Sequence, residues 1–137
     1  MTDWLTPEQR HRSMSAIRST GNRTTELALV RLLRELRVTG WRRHVKLPGR
    51  PDFAFRAERV LVFVDGCFWH GCPRCYAKPA TNRRFWSLKV QTNRARDRRQ
   101  SRELRARGWS VVRIWEHELR RPAIATRKLA RAGLVSV

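Results

Sequence analysis

Apolar positions along the chain fall into two periods. Leu29, Leu32, Leu33 and Leu36 recur at i, i+3, i+4 and i+7, with Arg31, Arg34, Glu35 and Arg37 between them, which is the stripe of an amphipathic helix docked on a core. Gly21-Asn22 marks a turn ahead of it, and Thr24 or Thr25 is placed to cap a helix starting near Glu26. After Gly40 the pattern shortens to extended pieces, Trp41 to Leu47, Pro51 to Phe55 and Arg59 to Val64, divided by Pro48-Gly49-Arg50 and Arg56-Ala57-Glu58. These read as three strands. Val60 to Val64 is apolar at every position, as in a central strand covered on both faces by helices. Residues 66–81 are rich in Gly, Pro and Cys and predict an irregular loop. A long polar helix is expected from Asn82 to about Arg107, ended by Gly108, then a fourth strand, Val111 to Trp115, and a short helix from Pro122 to Ala132. Upstream, Thr6-Pro7 opens a helix through about Ile17. The order α-α-β-β-β-α-β-α describes a small α/β sandwich around a mixed sheet.

Length and composition narrow this picture. No repeat or low-complexity linker divides the 137 residues, so residues 1–20 read as a basic N-terminal arm and 21–137 as one domain. Hydrophobic residues at 41% are enough for a core and argue against wholesale disorder. Lys and Arg total 31 against 11 Asp and Glu, a net charge of +20, and only four of the cations are lysines. Such a surface attracts polyanions and releases their counterions, and the guanidinium fork suits phosphate and guanine edges, so nucleic acid is the leading partner. The longest apolar run is Val60 to Val64, far short of a membrane span, and no signal peptide is apparent; the expected location is the cytoplasm.

Three groups of residues carry candidate chemistry. Cys67, Cys72 and Cys75 are the only cysteines, an odd number in nine residues, which favours metal ligation over disulfides. With His117, just past the fourth strand, they make a tetrahedral zinc set with no open position, a structural site that pins the loop; His70 and His44 are rival fourth ligands. The alternative is three buried thiols and a surface histidine. The second group is acidic. Asp52 begins one strand and Asp65 ends the next, which brings two carboxylates to one sheet margin, and Glu26 at the second helix start is within reach. That is the outline of a divalent-cation site for phosphodiester hydrolysis. The plain alternatives are pairing of Asp52 with Arg50, a turn-capping Asp65 and a dipole-favoured Glu26. The third group is aromatic. Phe68-Trp69 lies in the cysteine loop and Phe85-Trp86 at the start of the basic helix. Aromatics beside arginines can wedge into a base stack, whereas burial is the strong alternative for Phe85 and a moderate one for Trp86. His70 next to them is a candidate general base, with Asp97 a candidate to orient it.

These residues together resemble the very-short-patch repair endonucleases, bacterial enzymes that nick DNA beside thymine-guanine mismatches. The resemblance is carried by Leu47-Pro-Gly-Arg-Pro-Asp-Phe53, Val62-Phe-Val-Asp-Gly-Cys-Phe-Trp-His70, Pro79-Ala-Thr81, Phe85-Trp86, Arg96-Asp-Arg-Arg99 and Gly108-Trp through Trp115-Glu116, and spans roughly residues 10 to 121. It implies a restriction-endonuclease-like three-layer sandwich of the PD-(D/E)xK type with a structural zinc loop at 66–81. It also implies a magnesium-dependent endonuclease that cuts one strand of double-stranded DNA 5′ of the thymine in T:G pairs left by 5-methylcytosine deamination. Carried over, Asp52 would bind magnesium with the backbone carbonyl of Val64, and His70 would act as base or proton relay. Glu26 matches an acidic helix position of the site. Phe68, Trp69 and Trp86 match wedge aromatics on the major-groove side, and Met14 matches a residue inserted from the minor groove. Asp65 stands where the best-known member has histidine, which leaves it as either a second catalytic side chain or an extra metal ligand. His117 replaces a cysteine and Cys72 a histidine, exchanges that zinc tolerates. The family acts as a monomer and works downstream of a cytosine-5 methyltransferase, alongside mismatch-repair proteins. The rival expectations are a non-catalytic, zinc-stabilised DNA-binding protein and a restriction-like nuclease that cuts matched DNA.

Overall fold

The leucine stripe forms helix α1, Glu26–Glu35, and buries Leu29, Val30, Leu32 and Leu33. Strands β1 (Trp41–Arg43), β2 (Phe53–Phe55) and β3 (Val60–Asp65) follow, then α2 (Arg83–Ala106), β4 (Ser110–Trp115), a 3-10 turn (Glu116–Arg120) and α3 (Pro122–Arg131). The computed structural model describes residues 25–67, 72 and 82–136. The helix expected before Ile17 and most of the 66–81 loop lie outside the described residues.

The sheet has the order β1-β2-β3-β4. β1, β2 and β3 pair antiparallel through short connections, while β4 joins β3 in parallel, Val60 opposite Ser110 and Asp65 opposite Trp115. A parallel pair needs a crossover, and the segment containing α2 supplies it. β3 is buried at all six positions. Val60, Val62 and Val64 pack with Phe53, Phe55 and Ile114 against Leu29, Leu32 and Leu33 of α1 and Ala125 and Leu129 of α3. Leu61 and Phe63 pack with Ala54 against Leu104 of α2. The result is a three-layer α/β/α arrangement, as expected of the sequence, with Asp65 on the α2 side by strand alternation.

Element ends differ from expectation for local reasons. β1 stops at Arg43 because His44 takes the left-handed conformation at φ 58°, which breaks the extended run expected to reach Leu47. β2 begins at Phe53, after a proline that has no N–H to donate to a ladder. The 3-10 turn was not foreseen. It forms where the Glu118 carboxylate accepts the Trp115 N–H at 2.7 Å and pairs with Lys128 at 2.8 Å, which ties the end of β4 to α3.

Candidate active site and metal cluster

The turn at Leu47–Arg50 delivers Asp52. Arg50 N–H donates to the Leu47 carbonyl at 2.9 Å, and Gly49 sits at φ 80°, a type II arrangement with Pro48 and Gly49 at the central positions. A Cβ on Gly49 would lie 2.8 Å from Gln100 Oε1 and 3.3 Å from Phe63 Cε1, so the turn is pressed against α2 and β3. The chain then runs beside β3. Asp52 N–H donates to the Val62 carbonyl at 3.0 Å, and the Asp52 carboxylate accepts the Val64 N–H at 2.7 Å. At this margin a side-chain carboxylate takes the place a strand carbonyl would hold.

Asp52 carries an unbalanced charge. Burial pushes its pKa up to about 6 and the charges of Glu26 and Asp65 push the same way; the Val64 N–H and Arg113 act against them. Glu26, buried in the first turn of α1, pairs with Arg43 at 2.8 Å and faces His44 Nε2 at 3.5 Å. Three acids therefore converge on one end of the sheet, in a chain dominated by cations.

Asp65 belongs to a second, balanced network. Arg113 on β4 donates to its two oxygens at 2.9 and 3.3 Å, reaches Asp97 of α2 at 3.4 Å and Ser101 Oγ at 2.9 Å, and lies 4.2 Å above the Phe63 ring. Asp97, which the sequence offered as an orienting group for His70, is engaged with Arg113 and with Arg96 at 3.9 Å. Sequence reasoning missed Arg113. Its signal was a lone cation inside the apolar run of β4, easily taken for a solvent-facing alternation.

Cys67, Cys72 and His117 converge at the end of β4. His117 Nδ1 is 3.4 Å from each of the two sulfurs, and the three ligand atoms lie within 4.8 Å of one another. In a tetrahedron with zinc-like bond lengths, sulfur and nitrogen ligands are separated by about 3.5 Å. Cys72 N–H donates to the Cys67 carbonyl at 2.9 Å, and both sulfurs' residues are buried. His44, the rival ligand, is instead beside Glu26. Cys75, His70, Phe68, Trp69 and Met14 lie outside the described residues.

Trp86 departs from its expected role. It is 1% exposed, whereas its neighbour Phe85 is 45% exposed and meets it edge-on at 4.9 Å. Trp86, Val90, Asn93, Asp97, Ser101 and Leu104 form the inward stripe of α2, and an indole on that stripe does not project towards a base stack as placed. The aromatic edge α2 presents outward is Phe85.

Comparison with known proteins places this geometry. The profile of the family described as DNA mismatch endonuclease Vsr matches residues 2–76. The chain belongs to the Vsr family. It is 43% identical over 122 residues to the type II nicking enzyme V.XorIIP of Xanthomonas oryzae pv. oryzae, covering 87% of this chain and 88% of that one. It is 38% identical over 122 residues to the DNA mismatch endonuclease Vsr of Escherichia coli K12, covering 88% and 77%. It is also 47% identical over 76 residues to the type II nicking enzyme V.NaeI of Lentzea aerocolonigenes, covering 56% and 46%. As a Vsr family member the protein is a DNA mismatch endonuclease, and DNA is its substrate. The matched segment contains Glu26, Asp52, Val64 and Asp65, the residues that build the acidic margin.

Proposed function

We propose that the protein nicks one strand of duplex DNA on the 5′ side of the thymine in a T:G mismatch, using Mg2+ at Asp52. The observation that carries this reading is the Asp52 carboxylate, anchored on the Val64 N–H at 2.7 Å with Glu26 and Asp65 adding negative charge around it. A hard oxygen donor in excess negative charge suits Mg2+. Asp52 and the Val64 carbonyl would hold the ion, which when bound neutralises the leaving oxyanion and acidifies the attacking water. His70 would accept the water proton. Water adds to phosphorus as the bond to the 3′ oxygen breaks, leaving a 3′-hydroxyl and a 5′-phosphate. Asp65, locked by Arg113, keeps the margin in shape. Phe68, Trp69 and Met14 would wedge the mismatch open, with residues 1–20 acting as a DNA-binding arm.

Cys67, Cys72 and His117, with Cys75 as fourth ligand, would hold a structural Zn2+. The spacing of sulfurs and imidazole fits that ion. Chelation is expected to lower the melting temperature of the protein, because the loop orders with its metal. The substrate is the product of 5-methylcytosine deamination, which links the enzyme to a cytosine-5 methyltransferase and to mismatch-repair proteins, and the protein would act as a monomer in the cytoplasm.

The test is incubation with Mg2+ and an end-labelled duplex carrying a single T:G pair, beside the matched duplex. A nick 5′ of the thymine in the mismatched duplex alone is the expected result. Cutting of both duplexes alike, or of neither, overturns the reading.

A further inference from the structure

Adjoining the acidic margin, the open edge of the sheet carries a cleft of about 790 Å³. Every titratable residue lining it is basic: Arg42, Arg43, His44, Lys46, Arg56 and Arg59. Its remaining walls are Val45, Leu47 and Trp109, which pack against the apolar cluster under α2. Among the described residues, no acid pairs with Arg42, Lys46 or Arg56, while Arg43 at the end of the same cleft holds Glu26 at 2.8 Å. Like charges gathered with few counter-charges repel one another, and an external anion relieves that repulsion.

Two lining residues are fixed in place. The Arg59 guanidinium lies 4.1 Å above the Trp109 ring and donates to the Arg107 carbonyl at 3.1 Å. His44 and Arg59 both occupy the left-handed region, at φ 58° and 59°, where glycine is the unstrained choice. At its inner end the cleft reaches Arg43, which is bonded to Glu26 of the acidic margin.

We propose that this cleft holds the sugar-phosphate backbone of the DNA flanking the cut, apart from the nicking site itself. The cations meet phosphates, and the apolar wall of Val45, Leu47 and Trp109 meets the sugars. This inference rests on the reading of the protein as a DNA endonuclease. From Asp52 to Arg56 the chain advances about 13 Å, so the far end of the cleft stands several residues away from the acidic margin. Contacts there are blind to sequence and add affinity without mismatch discrimination.

The test measures binding of the full-length, metal-replete protein to matched duplex without Mg2+, by fluorescence anisotropy over a salt series. In Arg42→Ala/Lys46→Ala/Arg56→Ala, the slope of log K against log salt is expected to become shallower by about 2 to 3, close to one per lost phosphate contact. Arg120→Ala/Arg127→Ala/Arg131→Ala removes the same charge from exposed positions on the 3-10 turn and α3, and its slope is expected to stay within about half a unit of wild type. The single exposed change Arg42→Gln, expected to shift the slope by about one, serves if the triple variant does not fold. An unchanged slope in the cleft variants, or an equal change in the control, overturns the proposal. Matched DNA is not the mismatch substrate, so failure of T:G nicking and failure of the cleft are read separately.

Discussion

Asp52 and Asp65 stand at one margin of the sheet, in a chain with 31 cations, and the fold treats them in opposite ways. Asp65 has Arg113 on both oxygens, and the same guanidinium is held by Asp97, Ser101 and the face of Phe63. Asp52 has a backbone N–H, and among the described residues no ion pair. The difference separates two uses of a buried acid. A carboxylate neutralised by a bidentate arginine orders the protein around it. One buried without a cation has its pKa lifted, to about 6 here, by burial first and by the other acids second, and is relieved by an external cation.

The largest effect should come from Asp52. Asp52→Asn still accepts the Val64 N–H but loses the charge, and mismatch nicking is expected to fall more than about 100-fold, beyond what loss of a supporting contact at a metal site costs. Stability should move the other way. Because the folded pKa is raised, Asp52 contributes stability that is full below its ordinary value of 3.8 and lost as pH rises through about 6. In Mg2+-free buffer at pH 8, Asp52→Asn is therefore expected to melt higher than wild type, by up to about 2 kcal/mol, with the gain gone at pH 4. Equal melting at both pH values would mean that Asp52 is not charge-stressed.

Breaking the balanced partner should do the reverse. Arg113→Met leaves Asp65 and Asp97 without their shared cation and is expected to cost about 3 kcal/mol in denaturant unfolding. Adding Asp65→Asn to that variant should recover more than about 1 kcal/mol, the coupling expected of groups in contact. A loss within about 0.5 kcal/mol of wild type would show that Arg113 is not what holds Asp65.

The smallest effect is on the pH profile. At limiting Mg2+ the acid limb of nicking is expected to have its midpoint near 6, where Asp52 loses its proton, and to move lower as Mg2+ is raised, because ion and proton compete for one carboxylate. Asp65→Asn removes one of the charges that raise Asp52 and releases Arg113, so the midpoint should move down by less than about one unit.

The comparison also shows what the sequence could and could not convey. The leucine stripe of α1 and the all-apolar β3 were legible because hydrophobic period and burial agree there. The three-layer order was legible from the alternation of elements. The inward face of α2 was not, since three of its buried residues are Asn93, Asp97 and Ser101, polar groups that a search for apolar periodicity places outside. The same blind spot reversed Phe85 and Trp86: the helical phase is set by those polar positions, and it turns Trp86 in and Phe85 out. The convergence of Cys67, Cys72 and His117 was legible because few residue types ligate soft metals. Arg113 was not, because its partners Asp65, Asp97 and Ser101 are brought to it by β3–β4 pairing and by α2.

Titration of Mg2+ into the zinc-replete protein at pH 7.5, followed by calorimetry on wild type, Asp52→Asn and Asp65→Asn, tests the contrast most directly. One Mg2+ site is predicted in wild type, weakened at least about tenfold in Asp52→Asn and held within about threefold in Asp65→Asn. Loss of the site in Asp65→Asn with its retention in Asp52→Asn would contradict the account.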